Sequence, residues 1–555
     1  MGLRQFALVF IAGCAHAFSV AWPFGFASSV GLTQGQPVWW LQLLAMMALA
    51  ACLNQAKTKR QGAWLGWLFA CVMQVATWWW LFISLHTYGG LAAPLAVLAI
   101  VGLAAFLALY YAAACAAFVA LAHVNSALRA MQFAAFWLLA ELCRVALFTG
   151  FPWGQGGYAQ LDGPFIGLAK WVGVHGLTFG AALLGFALAA CVAKFRWLTA
   201  GMVATGVLAA SFSSAVLQGG AGATSLYSQP HPQPLGRSDV PFTVTLLQGN
   251  IAQDEKFKPT GGLPDALKWY GQQLLAATAT LVITPETALP LLPEQLPEGY
   301  LETLTQHFGQ PAPNKPPTAA LIGIPLGNSQ AGYTNSVIAL TPTSGGATTV
   351  YQYDKHHLVP FGEFVHPLFK WFLSIVNIPL SDFNRGAVSQ PPFNWQGQRI
   401  APNICYEDLF GEELAASFID PAAAPTMLVN VSNIGWFGNT IAIDQHLNIS
   451  RMRAIEFERP MIRATNTGAT AIIDHTGQVT HALERHTRGV LVGDVQGRQH
   501  VTPYAWWAAR FGLWPWWGLI CTIVMVAVSA RFYTARSLGG RRRLSENWPQ
   551  RWNSF

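Results

Sequence analysis

The sequence predicts a polytopic α-helical membrane body of about eight spans joined to a soluble α/β domain, and three observations carry that expectation. Hydrophobic residues fill 53% of the 555 positions and charged residues only 10%, against about 25% charged in a soluble domain. Apolar stretches of about 20 residues, enough to cross a bilayer, recur over the first 216 positions and once more near 511–530. Between them, residues 240–500 hold 21 of the 25 acids but 15 of the 32 bases, a local balance of −6 in a chain of formal net charge +7. Disorder over most of the chain, a collagen repeat and a disulfide-rich secreted domain are excluded by this composition. The basic residues flank apolar segments instead of forming a patch on the soluble domain, so nucleic acid is not an expected partner.

The apolar stretches run at 4–21, 37–54, 62–84, 92–122, 130–148, 174–193, 197–216 and 511–530, the first interrupted by Gly13, Cys14 and His16. This divides the chain into spans one to seven (1–217), a Gly/Ser/Pro-rich linker (218–239), a soluble domain (240–500), an eighth span (505–531) and a basic tail (532–555). Orientation follows from Lys and Arg in the short loops. Arg4, Lys57, Lys59, Arg60, Arg129, Lys194, Arg196 and the Arg541–Arg543 run fall on one side, whereas the loops at 22–36 and 85–91 carry no Lys or Arg. Both termini are therefore expected in the cytoplasm, with the soluble domain on the far side of an inner membrane, in the periplasm.

A signal peptide over residues 1–20, or a lipoprotein box at Ile11-Ala12-Gly13-Cys14, is disfavoured because cleavage removes a span that the charge pattern requires. Phe6 stands where myristoylation needs Ser or Thr. Glu141 and Arg144 share a helical face within the fifth span, either as a functional pair or as a packing device. The segment Thr149–Tyr158, rich in Gly and aromatics, is expected to form an interfacial belt rather than a loop lining a lipid entrance.

In the soluble domain, candidate strands at 242–247, 281–284, 320–324, 336–340, 399–405, 427–431, 462–465, 469–473 and 489–492 alternate with candidate helices at 263–279, 410–418 and 440–458. That mixture indicates a layered α/β domain. No phosphate loop, CxxC, HExxH or EF-hand spacing is present, so no metal or cofactor is indicated.

Seven of the eight cysteines sit in or beside apolar spans and read as small buried hydrophobes. Cys405 is alone in the soluble domain, ending the apolar run Ile400–Ile404 and followed by Tyr406-Glu407-Asp408. It reads as an inert core thiol or as a nucleophile at a strand's C-terminal end, where α/β folds place ligands and where a helix N-terminus favours a thiolate. Glu286, after Leu281–Thr284, and Lys355, after Tyr351–Asp354, occupy similar strand ends. A single exposed Glu or Lys is ordinarily a solvated charge; carboxylate, ammonium and thiol together favour a nucleophilic site.

In the contexts TPET, DKHHLVPFGEF and NICYED, these residues resemble the Glu-Lys-Cys triad of the nitrilase superfamily. With the eight stretches and the loop TGFPWGQGGYAQLDGP, the chain resembles one branch of it, the bacterial apolipoprotein N-acyltransferases. The resemblance implies an αββα sandwich on an eight-helix body. It also implies acyl transfer from a phospholipid, typically phosphatidylethanolamine, to the α-amino group of a diacylglyceryl-cysteine apolipoprotein. It assigns Glu286 as general base, Lys355 as cationic stabiliser and Cys405 as nucleophile, with Glu363, Tyr406 and Glu407 in support and Trp436, within SNIGWFG, near the substrate entrance. Three positions depart from the family pattern: Phe257 replaces a usual Trp, Ile434 a common Asp and His356 a common Asn.

This chemistry suits the residues. A thiolate splits acyl transfer into formation and aminolysis of a thioester. A carboxylate base is expected to work best with its pKa raised by burial, and an ammonium stabilises thiolate and oxyanion. Lipid substrates require a pocket at the bilayer, and the apolar segment 367–379 suits either an interfacial lid or a core helix. The rival readings are a membrane-tethered nitrilase-type amidase and a non-enzymatic transporter or sensor.

Overall fold

Two bodies account for the described residues: a helical one, formed up to residue 194 and joined by the C-terminal helix, and a four-layered one beginning at Phe242. The computed structural model describes residues 2–26, 31–123, 125–194, 242–310, 317–342, 351–364 and 383–546, with backbone alone at 194 and 531–546. The expected seventh span, the linker and the 367–379 segment lie outside the described residues.

The helical body comprises α1 (Leu3–Val20), α2 (Trp39–Asn54), α3 (Lys59–Trp78), α4 (Ala93–Leu121), α5 (Ser126–Ala146) and α6 (Ala169–Lys194), with a π-helical turn at Ile83–Tyr88. Among the described residues, four helices are long and apolar enough to cross a membrane: Leu3–Val20, Ala93–Leu121, Ser126–Thr149 and Ile166–Ala193. α2 is shorter, at 16 residues, and α3 has the length but carries Lys59, Arg60, Gln61 and Gln74. Where the eighth span (505–531) is expected, Pro503–Phe511 and Trp514–Ala530 are bent by 84° and together make a fifth candidate. Gly512, at φ 51°, sits in the corner, a conformation that glycine adopts without steric penalty.

The second body is built on two six-stranded sheets. The first has strand order β12-β1-β2-β3-β4-β5: β1 (Phe242–Gln248), β2 (Leu281–Ile283), β3 (Ala319–Asn328), β4 (Gly332–Leu340), β5 (Tyr351–Asp354) and β12 (Gly489–Val495). The second has the order β11-β10-β9-β8-β7-β6: β6 (Phe393–Trp395), β7 (Gln398–Ile404), β8 (Met427–Ser432), β9 (Met461–Thr465), β10 (Ala471–Ile473) and β11 (Val479–Ala482). In each sheet the three strands β1-β2-β3 or β7-β8-β9 run parallel, with antiparallel strands outside them. Nine of the twelve strands match the expected runs with shifted ends, β5 is the strand expected to end before Lys355, and β6 and β11 have no counterpart in the sequence reading.

β-branched and aliphatic residues fill both faces of the parallel strands, as sheets covered on both sides require. Val244, Leu246 and Ile283 of the first sheet pack against Ile404, Val429 and Ile462 of the second, forming the central layer of the core. On the outer face of the first sheet lie α7 (Gly262–Ala276) and α8 (Tyr300–Gly309), through Leu267, Tyr270, Leu304 and Phe308. On that of the second lies α10 (Ala442–Phe457), following the short α9 (Gly411–Ala415). The order is helix, sheet, sheet, helix.

The two bodies are stitched together by the loop after α5. Residues 152–160 are all buried, so this segment is not the interfacial belt expected from its composition. Gly156 donates its N–H to Glu141 at 3.1 Å, and Arg144 donates to the carbonyls of Phe151 and Trp153 at 3.3 and 2.7 Å. Backbone polar groups buried in such a place need partners, and this acid and base of α5 provide them. Above the loop, the indole N–H groups of Trp80 and Trp153 both donate to Gln445 Oε1 of α10, at 3.0 and 2.7 Å. Arg451 of α10 reaches Asp162 at 2.7 Å.

Candidate active site

Three strand ends meet where the two sheets face each other. Glu286 follows β2, Lys355 follows β5 and Cys405 follows β7. Lys355 is fully buried and Glu286 7% exposed, and Lys355 Nζ donates to Glu286 Oε1 at 3.1 Å. It also reaches the Glu363 carboxylate at 2.9 Å. Asn335 of β4 binds the same two carboxylates through Nδ2, at 2.7 and 2.8 Å. Glu286 Oε2 accepts the backbone N–H of Asn433 at 2.8 Å, and Glu363 Oε2 that of Val359 at 2.9 Å. Two carboxylates thus converge on one ammonium and one amide.

Cys405 opens a short 3₁₀ turn, Cys405–Leu409, with φ 53°. That left-handed backbone is uncommon for a residue with a side chain and turns the strand sharply at the sulfur. The Cys405 carbonyl is held by Asn430 Nδ2 at 3.2 Å and lies 3.2 Å from His446 Nε2. His446 in turn lies 2.9 Å from Asp408, which also binds Arg463 at 3.1 Å and accepts from Ser450. This buried network fixes the turn from below.

Glu407 serves as a clamp. Its carboxylate accepts the N–H groups of Ile404, His356 and His357 at 2.6, 2.6 and 3.2 Å and the Tyr353 hydroxyl at 2.9 Å. The chain carrying Lys355 is thereby fastened to the chain carrying Cys405. Tyr406 points toward the helical body, its hydroxyl 3.2 Å from the Gly150 carbonyl. His357 Nε2 lies 2.8 Å from Thr149 O.

The electrostatics are those of a loaded but uncharged sulfur. Burial pushes the Cys405 thiol up to about 12, with Glu286 adding to the rise and Lys355 opposing it. Burial would also raise Glu286, but Lys355, the Asn335 hydrogen bond and Lys256 hold it below the usual carboxylate range. This reverses the expectation of an elevated base. Lys355, which burial alone would depress, is held above its ordinary value by Glu286 and Glu363. The helix-end effect expected at Cys405 does not yield a resting thiolate.

Trp436 is half-buried and meets the helical body: Ser84 of the π-helical turn donates to its carbonyl at 2.7 Å, and the Tyr88 ring lies 5.8 Å away. Of the three departures, Ile434 is buried in the apolar seam between the bodies. His356 Nδ1 lies 2.7 Å from Gly386 O, and the Phe257 ring lies 5.9 Å from Lys256 Nζ. Asn335, Asn433, Asp408, His446 and Lys256 belong to the site without having been singled out by sequence. Asp408, the last residue of NICYED, and Asn433, within SNIGWFG, fall inside quoted motifs, whereas Asn335, His446 and Lys256 carry no such signal. Among the described residues, no cluster of His, Cys, Asp or Glu has metal-binding geometry.

Comparison with known proteins agrees with this architecture. Residues 19–187 match the family model described as apolipoprotein N-acyltransferase N-terminal domain, and residues 243–504 match carbon-nitrogen hydrolase. The chain is 55% identical over 531 residues to the apolipoprotein N-acyltransferase of Verminephrobacter eiseniae, covering 92% of this chain and 93% of that one. It is 43% identical over 497 residues to that of Ralstonia nicotianae, covering 89% and 90%. With both halves of the architecture matched and these relatives aligned along nearly their full lengths, the chain belongs to the apolipoprotein N-acyltransferase family.

Proposed function

We propose that this protein moves an acyl chain from a membrane phospholipid, phosphatidylethanolamine in the first instance, to the α-amino group of a diacylglyceryl-cysteine apolipoprotein. The transfer proceeds in two half-reactions through a thioester on Cys405, on the periplasmic face of an inner membrane, with both chain termini in the cytoplasm. The observation that carries this reading is the convergence of Glu286 and Glu363 on Lys355 beside the Cys405 turn, against the helical body.

A thiol held at about 12 is neutral at rest. Its proton therefore leaves as the sulfur–carbon bond forms. Cys405 Sγ attacks the ester carbonyl carbon, Glu286 takes the thiol proton, and negative charge gathers on the carbonyl oxygen within reach of Lys355. Donors aimed at such an oxygen contribute about 3–4 kcal/mol. Collapse breaks the carbon–oxygen bond, and the departing lysophospholipid oxygen takes the proton from Glu286. In the second half, the acceptor amine, whose ordinary pKa is about 8, attacks the thioester as the free base. Its surplus proton passes to Glu286 and then to the leaving sulfur. General base catalysis of this type contributes about 10²–10⁴-fold.

The test is incubation of the full-length protein in detergent with a phospholipid labelled in its acyl chain, followed by intact-protein mass spectrometry. A hydroxylamine-sensitive adduct is expected on Cys405, absent in Cys405→Ser and slowed at least about 100-fold in Glu286→Gln. An adduct that survives Cys405→Ser, or turnover of soluble amides without any lipid adduct, overturns the assignment.

A further inference from the structure

A second lysine is buried at this centre. Lys256 is 3% exposed, and its Nζ donates to the backbone carbonyl of Glu286 at 3.2 Å, while Lys355 takes the carboxylate of the same residue. The turn carrying it is locked in place. Asn433 Nδ2 donates to Gln253 Oε1 at 2.8 Å, and Asn466 exchanges hydrogen bonds with Ile251 at 2.9 and 2.8 Å. Asn433 is also the residue whose N–H binds Glu286 Oε2. The same clamp therefore sets the position of Lys256 and of the carboxylate.

The charges around it explain why a cation is kept there. Facing Lys256 are Glu286 from the β2 end and Cys405 from the β7 end, and Glu286 shares Lys355 with Glu363 on the β5 side. On its own turn, Asp254 is exposed, and Glu255 pairs with Lys258 at 2.6 Å. Without Lys256, Glu286 and Glu363 share one ammonium, Lys355, and one amide, Asn335. Two buried carboxylates with a single cation carry one uncompensated charge and tend to retain a proton between them. A proton on Glu286 disables it as the acceptor of the Cys405 proton. Burying an ammonium carries a desolvation penalty, so its placement here requires a compensating interaction.

We propose that Lys256 is the second counter-ion of the reaction centre, a positioning residue that keeps Glu286 ionised so that it can accept the Cys405 proton. This rests on the reading of Glu286 as the base for Cys405. Burial draws Lys256 down to about 8, with Glu286 and Cys405 opposing the fall. It is thus charged at neutral pH and loses that charge in mildly alkaline solution, setting an upper pH limit on its help.

The experiment compares wild type with Lys256→Met and Lys256→Arg, all full-length in detergent, by two readouts. The first is the pH-dependent infrared band of the protonated Glu286 carboxyl, assigned by its loss in Glu286→Gln. The second is the pH profile of Cys405 acylation by a phosphatidylethanolamine carrying a labelled acyl chain. Removing a nearby opposite charge raises a carboxyl by about 1–3 units. Lys256→Met is therefore expected to move the infrared titration upward by at least about one unit, with the acid limb of acylation moving in parallel and the rate recovering at higher pH. Lys256→Arg, permanently charged, is expected to restore the wild-type titration. An unmoved band in Lys256→Met, or a uniform loss of rate without a shift of the acid limb, overturns the proposal. If wild type forms no acyl adduct, the N-acyltransferase reading fails, while the infrared titration still decides whether Lys256 sets the charge of Glu286.

Discussion

Tyr406, the residue after Cys405, places its hydroxyl 3.2 Å from the backbone carbonyl of Gly150. This single hydrogen bond ties the turn that aims the Cys405 sulfur to the loop that Glu141 and Arg144 hold in the helical body.

Removing that tie tests its contribution. Tyr406→Phe keeps the ring contacts with His357 and Phe410 and loses about 0.5–1.5 kcal/mol of hydrogen bonding. The expected result is a roughly three- to tenfold slower Cys405 acylation with an unchanged circular dichroism spectrum. A wild-type rate, measured by adduct formation over time, shows that the two bodies are not coupled through this atom.

The neutral thiol makes a pH prediction in the absence of lipid. A group raised to about 12 stays protonated throughout the neutral range, so iodoacetamide is expected to modify Cys405 on the order of a thousandfold more slowly than free cysteine at pH 7. The rate is expected to climb about tenfold per pH unit up to about pH 10. Peptide mapping of Cys405 after timed alkylation measures it. A plateau near pH 7 shows that a thiolate exists before substrate binds.

Asp408 is a stability prediction. Burial alone would raise its carboxyl, but His446, Arg463 and Ser450 hold it below the ordinary value. Its stabilisation is therefore complete above the unfolded value, about 4, and is lost as pH falls through the lower folded value. Asp408→Asn leaves Arg463 buried beside a neutral amide, at a cost of about 3–5 kcal/mol. The thermal unfolding midpoint in detergent is expected to fall and to depend less steeply on pH below about 5 than in wild type. An unchanged midpoint shows that water or a rearranged partner satisfies Arg463.

Much of the fold was legible because strands announce themselves locally. Runs such as Leu281–Ile283 and Gln398–Ile404 are short, apolar and bounded, and the residues just past a strand's end are read directly from the chain. Hence Glu286, Lys355 and Cys405 stood out. Asn335, His446 and Lys256 did not, because each lies within an element or turn whose register against another sheet decides which way it faces. Their roles exist only after packing. Hydropathy likewise reports composition and not direction, so the eighth span was drawn across 505–531 and the corner at Gly512, between Pro503–Phe511 and Trp514–Ala530, was missed. Composition also suggested an interfacial belt for the loop after α5, whose aromatics instead close over buried backbone. The direction of the Glu286 shift was misjudged because burial was legible as a tendency, whereas the donors that outweigh it come from β4, β5 and the turn after β8.

The seam between the bodies has one more consequence. Tyr406, Phe410, Ile434, Ile441, Ile449 and Met452 pack into a cluster completed by Trp78, Trp80, Trp153 and Val174 from the helical side. Cut free, the hydrolase-like half would bare this oily face to water, a surface that invites aggregation. Unlike an amidase carried on a detachable stalk, this catalyst has its floor built from its own anchor, and neither piece is a finished object by itself.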